Sequence, residues 1–172
     1  MNFKKIMISA KAFGESEVKE AYTEAVRVLT ERGITVSCAE SCTGGLIGKL
    51  FTDVSGASAV FAGGMITYTN NIKINKLGVS ANTVDTYTEV SAECAAEMAE
   101  RAREYFETDI GISATGFAGP TGGNESDPVG TVYLGISNPE KTTVYRLFFD
   151  GCSREEIRLG VAKLAADAVI DA

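Results

Sequence analysis

Apolar residues at 18, 21, 22, 25, 28 and 29 recur at the spacing of one helical face, so 16–32 is predicted as a helix that stops at Gly33. A β-rich run follows at 34–39, and 43–51 returns to a helical pattern behind Gly44-Gly45, giving a strand-turn-helix unit. Residues 57–69 are apolar and aromatic with Gly63-Gly64 inside, the pattern of a strand bulged at its glycines, and lead through Asn70-Asn71 into a short helix ending at Leu77. Between 91 and 106 the chain is amphipathic at helical spacing, with Ala92, Ala95, Ala96, Met98, Ala99 and Ala102 on the packing side. A strand is expected at 109–115, a hairpin at 131–137 and 142–149 across Asn138-Pro139, and a final helix opened by the capping pair Ser153 and Glu156. The stretch 116–130 holds five glycines and two prolines and follows neither period, which marks a long loop of the kind retained for function.

Helices alternating with strands, closed by a hairpin, predict a three-layer α/β/α sandwich with a mixed, mostly parallel sheet of about five strands. No linker or repeat interrupts 1–172, so a single domain is expected. Ligands of such open sheets sit beyond the carboxyl ends of strands, where the turns at 40–45, 68–73 and 115–123 are predicted to converge.

Composition narrows the chemistry. With 45% hydrophobic and 23% charged residues in 172, the chain has the makings of one globular core. No apolar stretch approaches the roughly 20 residues of a membrane span, and 1–11 is too short and polar for a secretory signal. The cysteines at 38, 42, 94 and 152 form neither CxxC pairs nor a disulfide framework, so free thiols in a cytoplasmic protein without membrane contact are expected. A net charge of −7 without a basic stripe argues against nucleic acid as a partner, although a local basic pocket still suits one small anion. Histidine is absent, which excludes a Ser-His-Asp triad and removes the commonest metal ligand, so neither metal nor cofactor is expected. A hydrolase built from this chain must use lysine, tyrosine or a carboxylate for proton transfer.

Three segments carry candidate chemistry. Glu40-Ser41-Cys42-Thr43-Gly44-Gly45 places hydroxyls and a thiol at a strand-to-helix junction, where unpaired helix-start amides are expected to receive an oxyanion. Spacing alone favours a plain capping role for Ser41 and Thr43. Tyr68-Thr69-Asn70-Asn71-Ile72-Lys73 supplies a lysine that would act as a base if desolvated, and that would otherwise be a solvated surface residue. Thr115-Gly116-Phe117-Ala118-Gly119-Pro120-Thr121-Gly122-Gly123 could wrap an anion with backbone donors, yet lacks the phosphate-loop pattern and reads equally as a turn.

Taken together, AESCTGGLIGKLFTDVSGAS, MITYTNNIKINKLGV, VSAECAAEMAERA and ATGFAGPTGGNESDPVGTVYLGI resemble, in order and spacing, the CinA C-terminal domain family, which includes stand-alone nicotinamide mononucleotide deamidases. The resemblance implies an α/β/α fold and hydrolysis of the nicotinamide carboxamide to acid and ammonia by a serine-lysine pair without metal. Ser41 matches the family's serine and Lys73 its lysine. Tyr68 joins them as a catalytic candidate, and Thr43, Gly44, Gly45, Asn70, Thr115, Gly116, Gly119 and Gly122 as pocket candidates. Arg154 or Arg158, near the start of the last helix, is the expected phosphate contact. Two departures stand out: Gly151-Cys152-Ser153-Arg154 carries one extra residue, and Thr88-Glu89 occupies a place where the family usually has glycine-alanine. The N-terminal nucleotide-binding domain of full-length members is not represented, and self-association into a homodimer or larger assembly is expected.

Such a mechanism requires Lys73 to be neutral when Ser41 attacks, so partial burial and a nearby positive group are expected to lower its pKa. Two other readings compete. One is a non-catalytic nucleotide-binding or interaction module, and the other makes Cys42 the nucleophile.

Overall fold

In the computed structural model, residues 4–172 are described, with side chains from Ser9 onward. The chain runs β1 (Lys4–Ala10), α1 (Glu15–Arg32), β2 (Val36–Glu40), α2 (Leu46–Thr52), β3 (Phe61–Ile66), α3 (Asn70–Ile72), α4 (Ala81–Tyr87), α5 (Ala92–Phe106), β4 (Ile110–Gly116), β5 (Thr131–Ser137), β6 (Thr142–Phe149) and α6 (Arg154–Ile170). A π-helical turn, Lys73–Leu77, continues directly from α3. Six strands form one sheet in the order β1-β6-β5-β4-β2-β3. The pairs β1/β6, β2/β3 and β2/β4 are parallel, and β4/β5 and β5/β6 antiparallel. The expected five strands become six because β1, in a stretch considered only as a possible leader, adds an edge; Met1–Phe3 of that stretch lie outside the described residues. The helix α4 was also not anticipated, since it buries only Thr83 and Val84 and so leaves little periodic signal.

Both faces of the sheet are covered, and β2 and β5 are accordingly buried along their whole length. On one face α1, α2 and α6 lay Val18, Tyr22, Leu29, Phe51 and Val161 against Cys38, Ile112, Ala114 and Leu134. Phe51 meets Tyr22 edge-on at 4.9 Å and stacks on Phe61 at 5.1 Å. Burying such a ring stabilises by roughly 2–3 kcal/mol, before the added gain of aromatic geometry. On the other face α5 lies so close that a Cβ on Gly111 would fall 2.0 Å from the Ala99 carbonyl oxygen, and one on Gly135 2.6 Å from that of Ala95. The alanine-rich side of α5 is therefore explained by clearance: only small side chains allow the helix to lie this close to the strands.

The anticipated bulge is present. Val36 pairs with Phe61 but Ser37 with Gly63, leaving Ala62 as the extra residue of β3. The capping box is present too, with Ser153 N–H donating to Glu156 at 2.7 Å and Glu156 N–H to the Ser153 hydroxyl at 3.3 Å. Among the described residues no helix is long and apolar enough to cross a membrane.

Candidate active site

The β2 strand ends at Glu40, whose carboxylate is 1% exposed. It turns back to accept N–H bonds from Gly45 at 3.0 Å, Ile47 at 3.1 Å and Gly48 at 2.9 Å. Gly44 and Gly45 adopt φ of 59° and 94°, left-handed values that let the chain reverse within the turn and bring those amides to Glu40. The sequence-based expectation that the helix-start amides await an oxyanion is thus corrected: Glu40 already fills that role for α2. Of the turn's amides, those of Cys42 and Thr43 donate to no other residue among those described, the Cys42 N–H lying against its own sulfur. Ser41 N–H is tied to the Ala114 carbonyl at 2.8 Å, fixing the serine at the junction of β2 and β4.

Lys73 reaches the serine from the other side. Thr69 caps α3 by accepting from Ile72 N–H, and its carbonyl accepts Lys73 N–H at 3.0 Å. The side chain, 1% exposed, runs beneath the turn. Its Nζ donates to the Thr67 carbonyl at 2.8 Å and lies 3.0 Å from Ser41 Oγ. Burial lowers the Lys73 pKa from its ordinary 10.5, while the nearby Cys94, Glu89 and Cys42 push the other way. The anticipated positive neighbour is therefore not what lowers it; desolvation does. Burial also pushes the Cys42 and Cys94 thiols up to about 12, so near neutrality they are uncharged and Glu89 is the anionic neighbour among the three.

Ser41 and Lys73 open on a pocket of about 230 Å³ lined also by Cys42, Tyr68, Glu89, Val90, Thr115, Gly116, Phe117, Ala118 and Arg154. The three turns foreseen as convergent do meet here. Arg154 donates to the Gly119 carbonyl at 2.8 Å and to the Tyr68 hydroxyl at 3.5 Å, so it bridges the glycine-rich loop and the tyrosine at the pocket mouth. Thr115 donates to the Glu89 carbonyl at 2.7 Å. Other anticipated residues stand outside the lining. Arg158 holds the Thr43 carbonyl at 2.8 Å from behind, Thr43 is fully buried, and Gly44 and Gly45 shape the turn. Asn70 is exposed on α3, and Gly122 makes an exposed left-handed turn in the loop. Larger hollows of about 550 and 640 Å³ exist elsewhere, but neither contains a hydroxyl bonded to a buried lysine. Neither Glu40 nor Glu89 was anticipated as a site residue, although Glu40 ends a strand before a double glycine and Thr88-Glu89 had stood out as a departure from the family's usual glycine-alanine.

A serine hydroxyl beside a desolvated lysine, with the Cys42 amide donating to no other residue on the adjoining turn and an arginine at the rim, can perform acyl transfer on an anionic substrate. The model of the CinA C-terminal domain matches residues 18–172. The chain belongs to the CinA C-terminal domain family. A protein of Halothermothrix orenii bearing a competence-damage inducible name is 49% identical over 140 residues, covering 81% of this chain and 34% of that one. A CinA-like protein of Leptospira borgpetersenii is 47% identical over 138 residues, covering 80% and 33%. The chain thus spans about a third of the length of the curated relatives it matches. Among solved structures, the competence/damage inducible protein CihA of Agrobacterium tumefaciens superposes with a TM-score of 0.88 at 34% identity, covering 93% of this chain and 98% of that one. As a CinA C-terminal domain, the chain shares with that structure the α/β fold that brings the three turns together.

Proposed function

We propose that this domain hydrolyses the carboxamide of nicotinamide mononucleotide, giving nicotinate mononucleotide and ammonia through an acyl-serine. The observation that carries this reading is the 3.0 Å contact between Ser41 Oγ and the buried Lys73 Nζ. Neutral Lys73 accepts the Ser41 proton as Oγ bonds to the carboxamide carbon, and the oxyanion that forms is received by the amide of Cys42, which lines the pocket next to Ser41. The Lys73 ammonium then protonates the amide nitrogen, the C–N bond breaks, and ammonia leaves. Water gives a proton to Lys73, adds to the acyl carbon and releases the acid, with Ser41 recovering its proton. Arg154, which lines the pocket, holds the phosphate in this reading by a charge-assisted contact. Small-molecule nucleotide binding needs no basic surface, in keeping with the net charge of −7. Four unpaired thiols suit the reducing cytoplasm.

Ammonia and nicotinate mononucleotide should appear in equal amounts when the purified protein meets nicotinamide mononucleotide, and Ser41→Ala should release neither. Tight binding of the mononucleotide without product over hours would replace this reading with that of a non-catalytic binding module.

A further inference from the structure

The pocket contains a carboxylate that the proposed mechanism leaves without a task, the side chain of Glu89. It is half-buried, lines the same cavity as Ser41 and Lys73, and its charge acts on both Lys73 and Cys94. Among the described residues its carboxylate has no hydrogen bond or ion pair, unlike that of Glu40. The backbone holds it in place from several sides. Thr115 donates to the Glu89 carbonyl at 2.7 Å, and Ser91 donates to the Thr88 carbonyl at 2.9 Å. Thr88 itself sits at φ 73° and ψ 166°, a positive-φ conformation costly for a β-branched residue. A strained and pinned turn thus carries an unpartnered carboxylate on a residue that lines the same pocket as the nucleophile.

We propose that Glu89 is a specificity-determining residue of this pocket: its carboxylate accepts an N–H bond from the substrate's carboxamide and repels the carboxylate that replaces it in the product. This rests on the amidohydrolase reading above and adds to it a reason for the pocket to hold amide and expel acid. A carboxamide offers two N–H donors to such a group, whereas a carboxylate offers none and carries the same sign of charge. Arg154, at the rim with Tyr68, remains free to hold the phosphate common to both nucleotides, so discrimination falls on the reacting end alone.

The test uses the intact chain carrying Ser41→Ala, which removes turnover, with and without Glu89→Gln. Dissociation constants for nicotinamide mononucleotide and nicotinate mononucleotide are measured by calorimetry at neutral pH. Glutamine keeps the shape and removes the charge, so Glu89→Gln should tighten the acid by about tenfold while leaving the amide within a few-fold, shifting their ratio accordingly. A purely structural role would weaken both together and leave the ratio where it was, and that result overturns the proposal. Glu89→Ala should shift the ratio the same way, which separates loss of charge from any new contact made by glutamine. If neither nucleotide binds when Glu89 is intact, and wild type releases no ammonia, the amidohydrolase reading fails and this inference falls with it. An unshifted ratio alongside normal wild-type turnover would remove the role of Glu89 alone.

Discussion

Ser41 and Cys42 are neighbours in sequence, yet their surroundings give them opposite prospects as nucleophiles. A thiol attacks as thiolate, and burial pushes that of Cys42 up to about 12, so at neutrality little of it is ionised. A serine needs no prior ionisation when a base lies within reach, and Lys73 Nζ is 3.0 Å from Ser41 Oγ. The two arginines also separate at this scale. Arg154 lines the pocket, whereas Arg158 holds the Thr43 carbonyl behind it. Arg154→Ala is therefore expected to raise KM for nicotinamide mononucleotide by about tenfold or more, the worth of a charge-assisted hydrogen bond, with a smaller change in kcat. Arg158→Ala should act on kcat and stability through the turn. Steady-state kinetics on both variants check this, and an unchanged KM in Arg154→Ala would remove it as the phosphate contact.

At the scale of elements, the turn between β2 and α2 owes its shape to Glu40, which receives three amides that would otherwise be left without partners. Glu40→Ala should cost about 3 kcal/mol in urea unfolding, since several buried donors lose their acceptor at once. It should also reduce turnover, because Ser41 follows directly on the same turn; an unchanged unfolding midpoint would contradict this. What sequence made legible was local: the 16–32 periodicity, the Ser153-Glu156 cap and the bulge near Gly63-Gly64 each depend on residues a few positions apart. The serine and lysine were legible only through family resemblance, because their own spacing favours a cap and a surface cation. Burial of Lys73 depends on how the turn 73–77 packs near α5, as its coupling to Cys94 shows, and no pattern within that turn encodes it. Thr88-Glu89 stood out in sequence only as a departure from the family, and the place of Glu89 in the pocket was illegible there because it goes with a bond to Thr115, 26 positions away.

Across the whole molecule, several acids are buried in neutral form. The thiols of Cys38, Cys42 and Cys94 are raised above their ordinary 9.0, and the Tyr22 phenol above 10.0, all chiefly by desolvation. A group whose folded pKa is raised contributes stability that is fully present below its unfolded value and is lost as pH climbs towards the folded one. Lys73 has the opposite sign, because its folded pKa is depressed: stability increases with pH in the window between that lowered value and 10.5. Three thiols and a phenol outweigh one lysine, each group contributing at most about 1.4 kcal/mol per pH unit. The urea midpoint should therefore fall as pH rises above about 9, and Lys73→Met should steepen that fall; a flat midpoint between neutral and strongly alkaline conditions would contradict the burial pattern.

Lys73 as base is tested most directly by the pH dependence of kcat/KM for ammonia release from nicotinamide mononucleotide, measured for wild type and Lys73→Arg. Desolvation lowers the Lys73 pKa against the opposing pull of Glu89, Cys42 and Cys94. The wild-type rate should thus rise with pH and level off, with its half-point below the ordinary lysine value of 10.5. Lys73→Arg keeps the charge but cannot give up its proton in this range, and should be inactive throughout. A wild-type rate independent of pH, or an active Lys73→Arg enzyme, would contradict proton transfer from Ser41 to Lys73.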